Sequence, residues 1–308
     1  MAKKKSLRVT IGIPTYNRAN SYLKNALASA LAQQYENLEI VVSDNCSTDH
    51  TKSLIKSMDD GRIRYFYQPK NIPANDNFNY CLQQATGDYF LLLHDDDLID
   101  ADFVTTCMQA ADGNADFGTI FTGVRTIDGS GKVLKENENK ISGYSTDDFF
   151  LGWFDSQIAL YLCSTLYNTK ALKALGGYHS PKDLFQDVVA TVQLVAKHGH
   201  LDIRDIKASF RRHGDNRGKG ANVLDWSIDS RYLLDLMCQL SAEKRTQIRK
   251  RGLEYFCRLN YFRASTIANP MSRWNVYHQI YKQFERSCSL YYAFRKYEVG
   301  TLKALVKR

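Results

Sequence analysis

No stretch of the 308-residue chain approaches the roughly 18–20 consecutive apolar residues that a membrane-spanning helix requires. A secretory signal is also lacking. Met1 to Ser6 is basic, but the apolar segment behind it is short and interrupted by Arg8. These absences predict a cytoplasmic protein. The seven cysteines (Cys46, Cys81, Cys107, Cys163, Cys238, Cys257 and Cys288) are scattered, odd in number and never spaced as CxxC. That argues against structural disulfides and a zinc site, and leaves each to act as a small buried hydrophobe. Internal repeats and low-complexity segments are missing too.

Acidic residues are scarce in one region. Lys244 to Arg308 holds no Asp and three Glu against 15 Lys and Arg. That +12 leaves a net −4 on the first 243 residues of a chain whose total is +8. The same segment carries 12 aromatic residues, among them Tyr255, Phe256, Tyr261, Phe262, Trp274, Tyr291 and Tyr292. The positive charge therefore belongs to the C-terminal fifth.

Apolar content of 44% and charged content of 24% are ordinary for a soluble globular chain. The length fits one large α/β domain with an appendage, or two modest domains. Residues 7–13 read as a buried strand. Asn20 or Ser21 can cap a helix with Leu23, Leu27 and Leu31 on one face. Leu38 to Val42 is a second strand, and Thr48 or Asp49 caps a second helix. Ile63 to Tyr67, Asp76 to Ala85 and Asp88 to Leu93 read as strand, helix and strand. Solidly apolar strands alternating with helices predict a parallel sheet covered on both faces. Ligands bind such sheets at the C-terminal strand ends, where Thr15 to Arg18, Asp44-Asn45 and His94 to Asp97 fall. Farther on, Phe117 to Val124 reads as a strand, Asp128 to Gly131 as a hairpin turn and Lys135 to Ser145 as a mobile polar stretch. Gln186 to Lys197 reads as a helix, and Arg211 to Gly220 as a loop. The remainder is helical in pattern, broken near Asn269-Pro270.

The segment richest in chemistry is His94-Asp95-Asp96-Asp97. Three adjacent carboxylates at the end of a buried strand repel one another, and a cation relieves that repulsion. Carboxylate oxygens suit Mg²⁺ or Mn²⁺. A solvated acidic turn with Asp97 or Asp100 capping the next helix is the structural alternative.

Pro14-Thr15-Tyr16-Asn17-Arg18, then Ile40 to Asp49, then Ala85-Thr86-Gly87-Asp88-Tyr89 leading into His94 to Asp97, resemble in order and spacing the blocks of the family-two, GT-A-fold inverting glycosyltransferases. Gly176-Gly177-Tyr178 and Leu184 to Val188 resemble that family's acceptor-side loop and catalytic element. The resemblance spans roughly residues 7–215. It implies a Rossmann-like α/β fold with a mostly parallel sheet flanked by helices and a C-terminal helical extension. Residues 1–215 would form the catalytic domain, with a nucleotide-binding half (1–115) and an acceptor half (116–215); 216–308 would form the basic, aromatic-rich region.

It also implies roles. Pro14, Thr15, Tyr16, Arg18 and Asn75 would border the nucleotide, and Asp44 would accept hydrogen bonds from the base. Asp95 would lie near the ribose, with Asp96 the preferred ligand of Mn²⁺ or Mg²⁺, helped by Asp97 and His213. Arg211 and Arg212 would pair with the diphosphate, and Asp187 would be the general base. The donor sugar and acceptor would be set by pocket shape in residues roughly 120–185, including Trp153, Tyr161 and Tyr178, where the resemblance is weakest. Two departures stand out: Gln186, where an acidic residue is commoner, and His94, where many relatives carry an acidic or small residue.

The expected activity is transfer of a sugar from a nucleotide sugar, a UDP-sugar first of all, to a lipid-linked oligosaccharide or other saccharide in bacterial O-antigen or capsule synthesis. A non-catalytic nucleotide- or carbohydrate-binding scaffold is the alternative. A nucleotidyltransferase is disfavoured, because Pro14 to Arg18 has no glycine. The basic, aromatic tail has three readings: a helix lying on an anionic membrane at the inner face of the cell membrane, with Tyr291 to Lys296 and Leu302 to Arg308 the best-suited parts; a helical bundle packed on the catalytic domain; and nucleic-acid binding, the least favoured.

Overall fold

The computed structural model describes residues 6–213 and 222–298. The strands β1 (Val9–Thr15) and β2 (Leu38–Asp44) are buried along their whole length, as fully apolar strands must be when both sheet faces are covered. They pair in parallel. β3 (Ile63–Tyr67) adds to β2, and β4 (Tyr89–Leu92) adds to β1 in the same sense. Side chains alternate between two cores. Val9, Ile11, Ile13, Ile40, Val42, Tyr89 and Leu91 pack with α1 (Leu23–Leu31), α2 (Thr51–Ser57) and α4 (Phe103–Ala111). Val41, Phe90 and Leu92 face α3 (Ala74–Gln84), α6 (Thr169–Ala174) and α7 (Gln186–His198) on the other side.

The sheet then changes sense. Beside β4 lies β8 (Thr165–Asn168), antiparallel, followed by β6 (Thr119–Ile127), β9 (His200–Arg211) and the two-residue β5 (Leu98–Ile99). β7 (Val133–Asn137) forms a hairpin on β6 through the expected turn at Asp128 to Gly131. The polar stretch from Lys135 is thus not wholly irregular, since its first residues belong to β7. A more local difference concerns α1. Neither Asn20 nor Ser21 caps it; Tyr22 occupies that position without a side-chain bond.

The C-terminal elements are α8 (Val223–Leu240), α9 (Arg245–Ala264), α10 (Pro270–Gln283) and α11 (Leu290–Ala293). Asn269 caps α10 and Pro270 opens it, so the expected interruption is a helix start. These helices share one apolar core with α5 (Thr146–Phe154) and α7, built around Phe150, Trp153, Phe185, Val189, Leu234, Phe256 and Tyr277. All seven cysteines are free thiols, and six are buried. Residues 214–220 of the expected loop, and Leu302 to Arg308 of the expected membrane-facing tail, lie outside the described residues.

Candidate active site

The C-terminal ends of β1, β2 and β4 open onto one cavity of about 490 Å³. Pro14, Thr15, Tyr16, Arg18, Asn45, His94, Asp95 and Asp96 line its sheet side. Trp153, Tyr161, Phe185, Asp187, Phe210 and Trp226 also line the cavity. Parallel register fixes the first group: Thr15 stands beside Asp44, and Gly12 beside Leu92, so the loops leaving the three strands emerge together.

Within the acidic run the three carboxylates have different surroundings. The Thr15 hydroxyl donates to Asp95 Oδ2 at 2.7 Å. Burial nevertheless pushes the Asp95 carboxyl up to about 6; Asp96 adds repulsion, and Arg18 opposes it. Asp97 is almost wholly buried, and the Arg211 backbone N–H donates to its Oδ1 at 2.8 Å. Burial and the Asp96 charge hold the Asp97 carboxyl well above its usual range. Asp96 faces the cavity, with its Oδ2 2.7 Å from His213 Nε2. His213 itself packs against Tyr22, with the ring centroids 5.1 Å apart and the planes tilted by 46°.

This set fits a divalent cation. His94, Asp96 and Asp97 each offer a ligand atom within 4.8 Å of the others. Two carboxyls held above their normal range are in the condition that a cation relieves. Carboxylate oxygens suit Mg²⁺ and Mn²⁺.

Asp187 lines the same cavity from the first turn of α7, preceded by Gln186 with its amide oxygen buried. The loop before it, His179 to Phe185, is held at both ends. Asn79 Oδ1 accepts from the Tyr178 N–H at 2.8 Å, and Asn75 and Asn79 donate to the Tyr178 carbonyl at 2.7 and 3.0 Å. Gly177 is required here. Its φ is +91°, and a Cβ would lie 2.3 Å from Asn79 Oδ1.

Several residues expected at the site stand behind it. Tyr178 is fully buried against Tyr167, with ring centroids 5.5 Å apart, and belongs to the core because its backbone, not its ring, faces the loop. Asn75 does not border the cavity; its amide is committed to Tyr178 and to Asp183 Oδ1 at 3.1 Å. Asp44 is fully buried, accepting from Ser47 N–H at 2.9 Å and Tyr65 O–H at 2.7 Å, and leaves Asn45 to form the wall. Arg211 is also buried. Its Nε donates to the Asp96 carbonyl at 2.8 Å, its Nη1 to the Asp128 carbonyl at 3.1 Å, and its guanidinium lies 4.5 Å over Tyr22. It therefore ties the acidic loop to the β6–β7 hairpin and is not turned toward a diphosphate. Arg212 is exposed beside it.

Among the wall residues that escaped the sequence reading are Asn77, Asp183 and Trp226. Asn77 had a signal. Asparagines at 75, 77 and 79 in a helix are poor helix formers, and all three are buried and hydrogen-bonded. Trp226 had none, because it enters the site from a helix about 40 residues past Asp187.

Comparison with known proteins bears on the family and the fold. Among curated relatives, a GalNAc(5)-diNAcBac-PP-undecaprenol β-1,3-glucosyltransferase of Campylobacter jejuni is 33% identical over 170 residues, covering 53% of this chain and 54% of that protein. An uncharacterized glycosyltransferase of Rickettsia typhi is 43% identical over 90 residues, covering 29% of this chain and 27% of that protein. The chain thus spans about half or less of the length of these relatives. Of solved structures, S. aureus TarS 1–349 in complex with UDP-GlcNAc superposes with a TM-score of 0.68 at 16% identity, over 91% of this chain and 81% of that one. The mannosyltransferase PcManGT from Pyrobaculum calidifontis, in complex with GDP-Man and Mn²⁺, gives 0.58 at 15%, over 98% and 81%. These structural likenesses give the fold, GT-A. The model of Glycosyl transferase family 2 matches residues 10–175, more than half of the chain, and the protein belongs to that family of glycosyltransferase enzymes.

Proposed function

We propose that the protein transfers a sugar from a UDP-sugar to a hydroxyl of a lipid-linked oligosaccharide, with inversion at the anomeric carbon, in the synthesis of a bacterial surface polysaccharide such as O-antigen or capsule. The observation that carries the reading is the shared cavity: Asp95 and Asp96 of the acidic run and Asp187 line it together. Tyr16, Arg18 and Asn45 border the nucleotide, with Asp44 and Asn75 supporting that wall from behind. Asp96 is the principal ligand for Mn²⁺ or Mg²⁺, with His94, Asp97 and His213 beside it. A bound divalent cation neutralises the charge that develops on a departing diphosphate. Asp187 takes the proton of the acceptor hydroxyl as that oxygen attacks the anomeric carbon, so a single displacement inverts the configuration. Arg18, which lines the cavity, and the exposed Arg212 are cations for the diphosphate. Trp153, Tyr161, Phe185 and Trp226 give the acceptor half an aromatic lining on which sugar faces stack.

The lipid-linked acceptor is supported by the name of the Campylobacter relative and by the basic C-terminal region. Among the described residues no helix is long and apolar enough to cross a membrane. Phe262, Met271 and Tyr291 are nevertheless exposed on helices where Arg258 lies over the Tyr292 ring at 5.3 Å. An aromatic and cationic surface of this kind suits peripheral contact with anionic lipid. Flotation with phosphatidylglycerol vesicles, and its loss with phosphatidylcholine alone, is the expected outcome; equal flotation with both removes the electrostatic part. The reaction is tested by proton NMR of the product from an α-linked UDP-sugar. A β linkage is expected, and an α linkage rules out single displacement.

A further inference from the structure

The loop that delivers Asp187 to the cavity is organised by a carboxylate from outside residues 10–175. Asp229, in the second turn of α8, is fully buried. Its Oδ2 accepts from the Ser180 hydroxyl at 2.6 Å, the Leu184 N–H at 2.9 Å and the Phe185 N–H at 3.2 Å; its Oδ1 accepts from the Lys182 N–H at 2.8 Å. One carboxylate thus satisfies three backbone donors and one hydroxyl of a single loop, across 44 to 49 residues of sequence. Such charge-assisted bonds are short and strong, and a buried N–H that loses its acceptor is costly.

The position of these bonds gives them a function. Phe185 and Gln186 lead directly into Asp187, and Asp183, Leu184 and Phe185 line the cavity themselves. On the other side the loop is anchored at Tyr178 by Asn75 and Asn79. Between these anchors, Asp183 adopts a left-handed backbone with φ of +51°, a conformation that a non-glycine residue holds only when its surroundings fix it. One turn before Asp229 on α8, Trp226 forms part of the cavity wall, with the Arg263 guanidinium stacked on it at 3.7 Å. The same stretch of α8 therefore supplies both an acceptor-side surface and the clamp on the loop.

We propose that Asp229 is a positioning residue for the transfer reaction: it fixes the Ser180–Phe185 loop so that Asp187 meets the acceptor hydroxyl. This makes α8 part of the acceptor site and not a separate appendage. The inference rests on Asp187 being the base.

The test compares Asp229→Asn and Ser180→Ala with the unaltered full-length enzyme and with Asp187→Asn. Release of UDP from UDP-glucose and from UDP-N-acetylglucosamine measures turnover, and calorimetry with UDP and Mn²⁺ measures the donor site. Hydrogen exchange follows the amides of Lys182, Leu184 and Phe185. Asp229→Asn is expected to lower kcat by about 10- to 100-fold with the donor KM and UDP affinity within about twofold, as misplacement of a reacting group does. Exchange at the three amides should rise, while that at Tyr178, bonded to Asn79, stays as it was. Ser180→Ala, which removes one bond of the four, should move kcat the same way by a few-fold, and it decides the matter should Asp229→Asn fail to fold. Unchanged kcat in Asp229→Asn, or in a folded Ser180→Ala where Asp229→Asn does not fold, overturns the proposal if Asp187→Asn is inactive. Full turnover by Asp187→Asn overturns the reading of the base and this inference with it.

Discussion

At the scale of single residues, the acidic run is a balance between repulsion and ligation. Asp97 is buried beside Asp96 and is held above its usual protonation range. A carboxyl with a raised folded-state pKa opposes folding once the pH is above its unfolded value, so at neutral pH burying this carboxyl costs the metal-free protein stability. Asp97→Asn is therefore expected to raise the Tm of the metal-free protein by a few degrees, because the amide oxygen still accepts from Arg211 N–H. The same variant should reduce the rise in Tm that Mn²⁺ and UDP give the parent. A fall in metal-free Tm contradicts the repulsion argument. Tyr178 offers a second test. Its hydroxyl is buried without a hydrogen-bond partner among the described residues, and its ring lies in the core. Tyr178→Phe should leave turnover within about twofold and stability equal or higher, since an unsatisfied buried hydroxyl costs about 1–3 kcal/mol. A large loss of activity would restore the tyrosine to the acceptor site.

At the scale of elements, Glu39 joins several pieces of the parallel half of the sheet. It sits on β2 and accepts from Thr10 of β1 at 2.6 Å, from the Thr86 N–H and hydroxyl at 2.6 and 2.8 Å, and from Arg64 of β3 at 2.9 Å. Burial alone would raise its pKa; the hydrogen bonds from Thr10, Thr86 and Arg64 outweigh burial and hold it below its ordinary value of 4.5. A depressed folded-state pKa means stability that is present above the unfolded value and lost as pH falls through the folded one. Glu39→Gln should thus lower the urea midpoint at pH 7, and the gap from the parent should close below about pH 4. A gap that stays constant down to pH 3 would falsify the assignment of that stability to the charge.

The strands and helices of this half were legible because their signals are local: apolar runs for β1, β2 and β4, and a four-residue period for α1. The three strand-end clusters were legible for the same reason, since parallel pairing puts loop residues that follow apolar runs at one edge. Side-chain direction was not legible. Whether Asp44 faces the cavity or Tyr65, and whether Arg211 reaches outward or toward the Asp96 carbonyl, depends on partners 21 and 115 residues away. Short elements such as β5 and β8 also left no pattern, because two to four residues carry no period.

At the scale of the molecule, the basic C-terminal helices and one wall of the cavity form one structure. α5 and α7 share their apolar core with α8 to α11, and Trp226 joins the cavity from α8. Charge asymmetry marks this region in the sequence, yet composition carries no information on which face packs and which is exposed. The central claim is a division of labour across one cavity: an acidic side that holds the donor and a carboxylate at α7 that activates the acceptor. The most direct test pairs Asp96→Asn with Asp187→Asn, measuring UDP–Mn²⁺ binding by calorimetry and sugar transfer by product formation. The account predicts that Asp187→Asn binds UDP and Mn²⁺ within about twofold of the parent while transfer falls by at least about 100-fold, in the range of general-base loss. Asp96→Asn should lose metal-dependent binding and transfer together. Transfer at parental rate in Asp187→Asn, or metal-dependent UDP binding intact in Asp96→Asn, would contradict it.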